Sequence, residues 1–376
     1  MSASKNKIGN IVLGIFILFC IFIMAQHKFR FVKVRELKGH IVEQEKPSLS
    51  WKTWMDKSYQ KEKTKYIKEK FGLRNDFVRF HNQVAFSFFD LAKANGVVVG
   101  KDNYLFEKSY IKSYLGEDFV GEEKINDHVK LIEEINDTLI KLDKHLVVLM
   151  APGKGWFYSD KIPDRYGKKE TDLTNYQVYK KHIEKTLIPN IDFNEYFLES
   201  KESSEYLLYP KTGIHWSVFG ETIVMDSLLK KLEDVSEKRF PCFTYKIKPL
   251  TDKVLYTDDD IEKGMNLYFD IDKPQMAYPE IKFFNEDLKK YNSMVVADSY
   301  FWGLFGRGVA QRFFKRCEFW YYNRKVHSEK PLRNCDDVDL GSTIEEMDFV
   351  ILLCTDPNLK KLNFGFIERL HKHFYK

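Results

Sequence analysis

The sequence predicts an α/β fold in three layers, with a mostly parallel sheet between helices, and three observations predict it. Amphipathic helical segments alternate with short apolar runs along most of the chain. Two of those runs, Leu146-Val147-Val148-Leu149-Met150 and Met294-Val295-Val296-Ala297, are apolar at every position, as in strands covered on both faces. Each run then breaks into a turn, at Ala151-Pro152-Gly153 and at Asp298-Ser299-Tyr300 with Gly303, Gly306 and Gly308 behind it. In open α/β sheets the loops leaving the carboxyl ends of strands carry the ligand sites.

Taken in order, residues 8–25 hold no charge and are dominated by Ile, Leu, Phe and Val, enough at the helical rise to cross a bilayer's hydrocarbon core. No small-residue cleavage site follows, so residues 1–27 are expected as an uncleaved transmembrane anchor. Lys5 and Lys7 precede the span, while Lys28, Arg30, Lys33, Arg35 and Lys38 follow it, and this count of basic residues would keep the rest of the chain in the cytoplasm. Residues 28–70, rich in charge and poor in aliphatics, read as a stalk. The main domain is expected over 71–376. It opens with a helical apolar segment around Phe77, Phe80, Val84 and Phe88 that is expected to pack on the domain. Val97-Val98-Val99-Gly100 and the turn through Asp102-Asn103 into Leu105-Phe106 suggest two short strands.

Ile125, Val129, Ile132, Ile135, Leu139 and Leu142 recur at three- and four-residue steps and predict a helix over 122–144, leading into the 146–150 strand. A helix over 171–186, a strand at 191–193, a helix through Val218, Met225, Leu229 and Leu232, and strands at 317–322 and 349–353 continue the alternation. No internal repeat is visible.

The 376 residues, 44% hydrophobic, suffice for a large core and exclude a disordered chain. The net charge of +5, from 60 basic and 55 acidic residues, is spread out, so no nucleic-acid partner is expected. Of five cysteines, Cys20 falls in the apolar span, and Cys242, Cys317, Cys335 and Cys354 are far apart with no C-x-x-C pair. No metal site and no cofactor is expected, and disulfides are permitted without being required.

Two residues point to chemistry. Ser299 follows a buried strand and is a candidate nucleophile. His215, in Gly213-Ile214-His215-Trp216-Ser217, precedes a helix that Ser217 can cap, and a histidine held at a loop end suits a general base. A serine needs such a base because its free hydroxyl is hardly ionised at neutral pH. Either residue alone is more often an ordinary loop residue.

Four segments in order, Gly100-Lys101-Asp102-Asn103-Tyr104-Leu105-Phe106, Ala151-Pro152-Gly153-Lys154 with Tyr158 and Pro163 after it, His215-Trp216 with Gly220, and Ala297-Asp298-Ser299, resemble the AlgX and AlgJ alginate O-acetyltransferase family of the SGNH hydrolase-like superfamily. The resemblance covers roughly residues 71–376. It implies a flavodoxin-like α/β/α domain, exported and periplasmic on a single-pass anchor in the cytoplasmic membrane. That domain would transfer acetyl groups onto a polysaccharide acceptor, with a membrane-bound acyltransferase supplying them. The family's serine falls on Ser299 and its histidine on His215. A carbohydrate esterase of the same fold, and an inactive glycan-binding or scaffold protein of such a complex, are the alternative readings.

One position departs from the family. Its Asp-x-His-Trp pattern here has Gly213 in the aspartate's place, and glycine cannot orient an imidazole. A Ser-His dyad, a carboxylate from elsewhere in the chain and a dead site all remain open; Asp298 is a poor substitute, being next to the serine at a strand end. For the oxyanion of an acyl transfer, the backbone N–H groups of Ser299 and of Gly153 or Lys154 are candidate donors. Gly153 is equally a simple turn residue, and Lys154 equally a solvated loop lysine. Trp216 and Tyr300 are candidates to stack on sugar rings, although core packing is the commoner fate of such rings.

Overall fold

The computed structural model describes residues 2–39, 44–171 and 173–375; residues 40–43 of the expected stalk, Asp172 in the expected 171–186 helix and Lys376 lie outside it. The chain forms two compact units, one of residues 1–95 with 262–270, the other of residues 96–261 with 271–376.

In the first unit, helix Ser2–Phe29 contains the stretch Lys7–Phe29, which is long and apolar enough to cross a membrane and in which Gln26 is the one buried residue. The expected stalk contains helices Trp51–Met55 and Ser58–Lys70, the first held by a capping box between Ser50 and Thr53. Helix Arg74–Phe89 follows. Residues 71–95, which the sequence reading places in the main domain, belong to this unit. Arg79 donates to the Leu267 carbonyl and Asn82 to the Met265 carbonyl, which draws residues 262–270 into the same unit.

The second unit carries the sheet. Its strands are β1 (Val97–Val99), β2 (Leu105–Glu107), β3 (His145–Ala151), β4 (Asn190–Asp192), β5 (Cys242–Ile247), β6 (Pro279–Phe284), β7 (Tyr291–Ala297), β8 (Phe314–Tyr321), β9 (Lys325–His327), β10 (Arg333–Asn334) and β11 (Phe349–Thr355). Seven of them form one sheet in the order β10-β9-β8-β7-β11-β3-β4. The five from β8 to β4 run parallel, and β9 and β10 close the edge antiparallel. β1 with β2 and β5 with β6 make two separate two-stranded antiparallel sheets.

The alternation of strand side chains divides the core. Leu146, Val148, Met150, Met294, Val296, Val350 and Leu352 join the apolar faces of helices Glu122–Lys141, Asn175–Ile183 and Phe366–Tyr375. Helices Phe193–Ser200 and Val218–Ser236 pack on β3 in the other layer. The expected three-layer α/β fold with a mostly parallel sheet is therefore the observed one. The expected 122–144 helix stops at Lys141, because Leu142 leaves helical geometry and Asp143 turns left-handed with φ 56°. The 317–322 strand begins earlier, at Phe314, and ends at Tyr321, because Tyr322 and Asn323 take φ values of 50° and 49°.

Candidate active site

Ser299 stands where the sheet ends. β7 finishes at Ala297, and Asp298 caps a single 3₁₀ turn over Ser299–Phe301, its Oδ1 accepting the Tyr300 N–H at 3.1 Å. The other oxygen of Asp298 accepts from the Thr355 N–H, the Thr355 hydroxyl and the Asn358 amide, at 2.9, 2.7 and 2.9 Å. Asp298 is thus fully engaged in bracing the turn against the end of β11. Ser299 itself stays half-buried, within reach of a ligand.

His215 arrives from the opposite side. Ser217 caps the helix Val218–Ser236, accepting the Gly220 N–H at 2.9 Å, and its own hydroxyl donates to the Leu207 carbonyl at 2.6 Å. The loop ahead of the histidine is held from beneath. The hydroxyls of Tyr300 and Tyr209 lie 2.7 Å apart, and they reach the carbonyls of Ile214 and Pro152 respectively, each at 2.5 Å. Burial keeps both phenols well above their ordinary pKa, so they remain protonated donors.

The two residues meet. Ser299 Oγ lies 3.0 Å from His215 Nε2, and His215 Nδ1 lies 2.7 Å from Asp260 Oδ2. A carboxylate only accepts, so Nδ1 carries the proton and Nε2 is left to accept from the serine. The remaining oxygen of Asp260 accepts the Ile214 N–H at 2.9 Å, which fixes the carboxylate relative to the ring it serves. Serine, histidine and aspartate therefore form a continuous triad.

Asp260 is 45 residues from His215 and fills the place that Gly213 leaves empty. The glycine also explains how. A Cβ at position 213 would stand 2.6 Å from the Thr257 carbonyl oxygen and 2.8 Å from the carbonyl carbon of Asp258. The segment that delivers Asp260 passes against the bare Cα, so the residue type that removes the usual carboxylate is the one that admits its replacement.

Burial would lower the His215 pKa, but the hydrogen bond and charge of Asp260, aided by Glu221 and Asp298, raise it above the ordinary value. Glu221 is itself buried and paired with Arg307. Arg307 also donates to the Gly303 carbonyl at 3.0 Å and lies over the Tyr256 ring at 5.4 Å. One guanidinium thus ties together the segment after Ser299, the helix after His215 and the segment before Asp260.

The other predicted site residues are placed differently. Lys154 is fully buried, and its ammonium donates to the carbonyls of Lys211 at 2.9 Å and Gly213 at 2.5 Å; it is no solvated loop lysine. Burial pulls its pKa down to about 7, against the charge of Asp260. The Gly153 N–H is already taken by Asn194 Oδ1 at 3.2 Å, which removes it as a free oxyanion donor. Gly153 is small because the buried carboxyl group of Asp356 occupies the space where a Cβ would go. Trp216 and Tyr300, expected as sugar-stacking rings, are 0% and 1% exposed and pack on each other with centroids 5.0 Å apart. Their apolar surface is worth more in the core than in a cleft, and neither can stack on a ligand.

Sequence reasoning missed Asp260 and Tyr322. Asp260 lies in the acidic run Asp258-Asp259-Asp260, which gives no signal of its own. Tyr322, in its left-handed turn, is anchored by its N–H to the Ala297 carbonyl at 2.9 Å, and its hydroxyl lies near the side chains of Ser299 and Asn358. Burial raises that phenol to about 12. Among the described residues no group of three or more His, Cys, Asp or Glu could hold a metal ion, and all five cysteines are free thiols.

Residues 97–246 match the family model described as SGNH hydrolase-like domain, acetyltransferase AlgX. The match includes His215 but neither Ser299 nor Asp260. Solved structures similar to this chain include the O-acetyltransferase domain of Pseudomonas putida AlgJ, at 14% identity and a TM-score of 0.49, covering 74% of this chain and 99% of that one. Bacillus cereus PatB1 is similar at 14% identity and a TM-score of 0.43, covering 65% and 93%. Pseudomonas aeruginosa AlgX is similar at 14% identity and a TM-score of 0.45, covering 76% and 69%. No curated protein matches the chain.

Proposed function

We propose that this chain is a membrane-anchored O-acetyltransferase that acts on an extracytoplasmic polysaccharide through Ser299, His215 and Asp260. The observation that carries the reading is the unbroken pair of hydrogen bonds from Ser299 through His215 to Asp260. Ser299 Oγ attacks the acetyl carbonyl carbon while His215 Nε2 takes its proton, and Asp260 stabilises the imidazolium. The Ser299 N–H and the Tyr322 hydroxyl are the donors proposed for the oxyanion. Collapse returns the proton from His215 to the departing oxygen of the donor and leaves an acetyl ester on Ser299. A sugar hydroxyl then attacks that ester, His215 taking and returning a proton in the same way, and the acetyl group passes to the sugar.

The family model matched by residues 97–246 supports acyl transfer over other chemistry of a serine triad, and the resemblance of the four motifs supports the polysaccharide. The apolar helix Lys7–Phe29 supports the single-pass anchor. On this reading the domain faces the periplasm, and a membrane-bound acyltransferase presents the acetyl groups.

A chromogenic acetyl ester with an oligosaccharide acceptor tests the proposal. Acetylated oligosaccharide should form with the wild-type chain, and Ser299→Ala should lower turnover by about 10⁵- to 10⁶-fold, as loss of a triad nucleophile does. Ester hydrolysis indifferent to the acceptor would instead identify an esterase. Polysaccharide acetylation in cells that survives Ser299→Ala but not deletion of the chain would identify a scaffold.

A further inference from the structure

Helix Arg74–Phe89 in the first unit is built inside out. The residues it buries are Arg79, Asn82 and Ala85. The guanidinium of Arg79 donates to the carbonyls of Leu267 and Glu36 at 3.0 and 2.7 Å, and the Asn82 amide to that of Met265 at 2.8 Å. The opposite face shows large apolar side chains, Phe80 at 62% and Phe88 at 77% exposed, with His81 beside them. Phe77, Phe80, Val84 and Phe88 recur at three- and four-residue steps, so they form one stripe. A helix that buries an arginine and an asparagine while showing two phenylalanines to the outside is arranged for an apolar surrounding.

The N-terminal end of the stripe indicates what that surrounding is. The Phe77 ring meets Phe19 of the apolar helix Ser2–Phe29 edge-on, with centroids 6.1 Å apart. The turn just before is clamped to the same helix. A Cβ on Gly72 would stand 2.5 Å from the Ile23 carbonyl oxygen and 2.7 Å from the His27 nitrogen, and His27 Nδ1 donates to the Lys70 carbonyl at 2.6 Å. The bare stripe therefore continues the surface of the apolar helix. Phe19 lies six residues before Ala25, where the uncharged run ends, which is about 9 Å along the helix axis. Helices lying in a membrane surface bury their apolar faces to about 5–10 Å.

We propose that helix Arg74–Phe89 lies in the surface of the lipid leaflet that Lys7–Phe29 enters, with Phe80 and Phe88 among the acyl chains. The proposal rests on reading Lys7–Phe29 as a membrane span. Lipid explains the inverted pattern, because a charge near a bilayer must be shielded and paired, as Arg79 is, while phenylalanines there need no protein cover. Exposed Trp51 and Trp54 and the lysine-rich helix Ser58–Lys70, in the same unit, are the residue types that favour headgroup regions.

The test uses the full chain in phosphatidylcholine vesicles, with or without brominated acyl chains. An environment-sensitive fluorophore is attached through Phe80→Cys or Phe88→Cys, with the exposed cysteines removed as Cys20→Ser and Cys242→Ser; a further sample is labelled at native Cys20 with only Cys242→Ser. Both stripe labels should shift to the blue, lose emission to brominated lipid and resist aqueous iodide. If Cys20 is quenched by the lipid while both stripe labels are quenched only by iodide, the stripe faces water and the proposal falls, with the span intact. Labels shielded from iodide yet untouched by brominated lipid would mean that a second copy of the chain covers the stripe, which also overturns it. An unquenched Cys20 would sink the span itself and the proposal with it.

Discussion

The Ser299 half and the His215–Asp260 half of the hydrogen-bonded triad are positioned by different means. The turn that carries Ser299 starts from neighbours in sequence, since β7 ends at Ala297 and Asp298 caps the turn, and Thr355 and Asn358 then brace that cap from the end of β11. His215 and Asp260 are placed by groups far from them along the chain. Lys154 and Tyr300 hold the carbonyls on the histidine's loop, and Asp260 reaches the ring only because residues 257–258 can pass over Gly213. A triad needs three side chains in one geometry and leaves open which segment supplies the carboxylate.

Breaking the base half at its distant member should have the largest effect of the three changes considered. Asp260→Asn keeps the shape but presents the wrong partner to Nδ1–H, and kcat should fall by about 10⁴-fold. The pH profile sharpens the point. Asp260 holds the His215 pKa above its ordinary value, and the base works only when neutral, so wild-type kcat/KM should decline as pH falls through that raised pKa. In Asp260→Asn the decline should move to lower pH, on a lower plateau. A limb that stays in place would mean that Asp260 does not set the histidine's charge.

Gly213→Ala asks whether the glycine is needed for clearance. Its methyl group would stand 2.6 Å from the Thr257 carbonyl oxygen, and the backbone must shift to relieve this. Displacing Asp260 by a fraction of an ångström should lower kcat by about 10- to 100-fold, with KM for a small acetyl ester little changed. Gly213→Asp in the Asp260→Asn background should restore nothing, because residues 257–258 occupy the space its side chain would enter. Recovery of activity there would show that position 213 can still act as it does in the resembling family.

Arg307→Ala removes the clasp across the three segments without touching the triad. Its effect on kcat should be the smallest, about 10-fold, because the histidine and serine keep their own supports. The melting temperature should fall, since the buried Glu221 is left without its cation. Arg307→Lys should recover stability more than activity, because an ammonium can pair with Glu221 but cannot also span the Gly303 carbonyl and the Tyr256 ring.

How much was legible in the sequence follows the same division. Continuous apolar runs at 146–150 and 294–297, and the helical spacing from Ile125 to Leu139, determined the layered sheet and its carboxyl edge, because burial of a strand or a helix face is written in the period of its own residues. The turn after Ala297 marked Ser299, and Ser217 marked the helix behind His215, for the same local reason. Tertiary structure alone decided the rest. Whether Trp216 and Tyr300 face a sugar or the core depends on what packs beside them, and Phe193 and Phe197 enclose the first of them. Whether Lys154 is solvated depends on two carbonyls more than fifty residues away. Among the acids of 258–260, the sequence does not distinguish the one that meets the histidine. Only the path of that segment across Gly213 selects Asp260, because a hydrogen bond between distant residues leaves no period in either of their neighbourhoods.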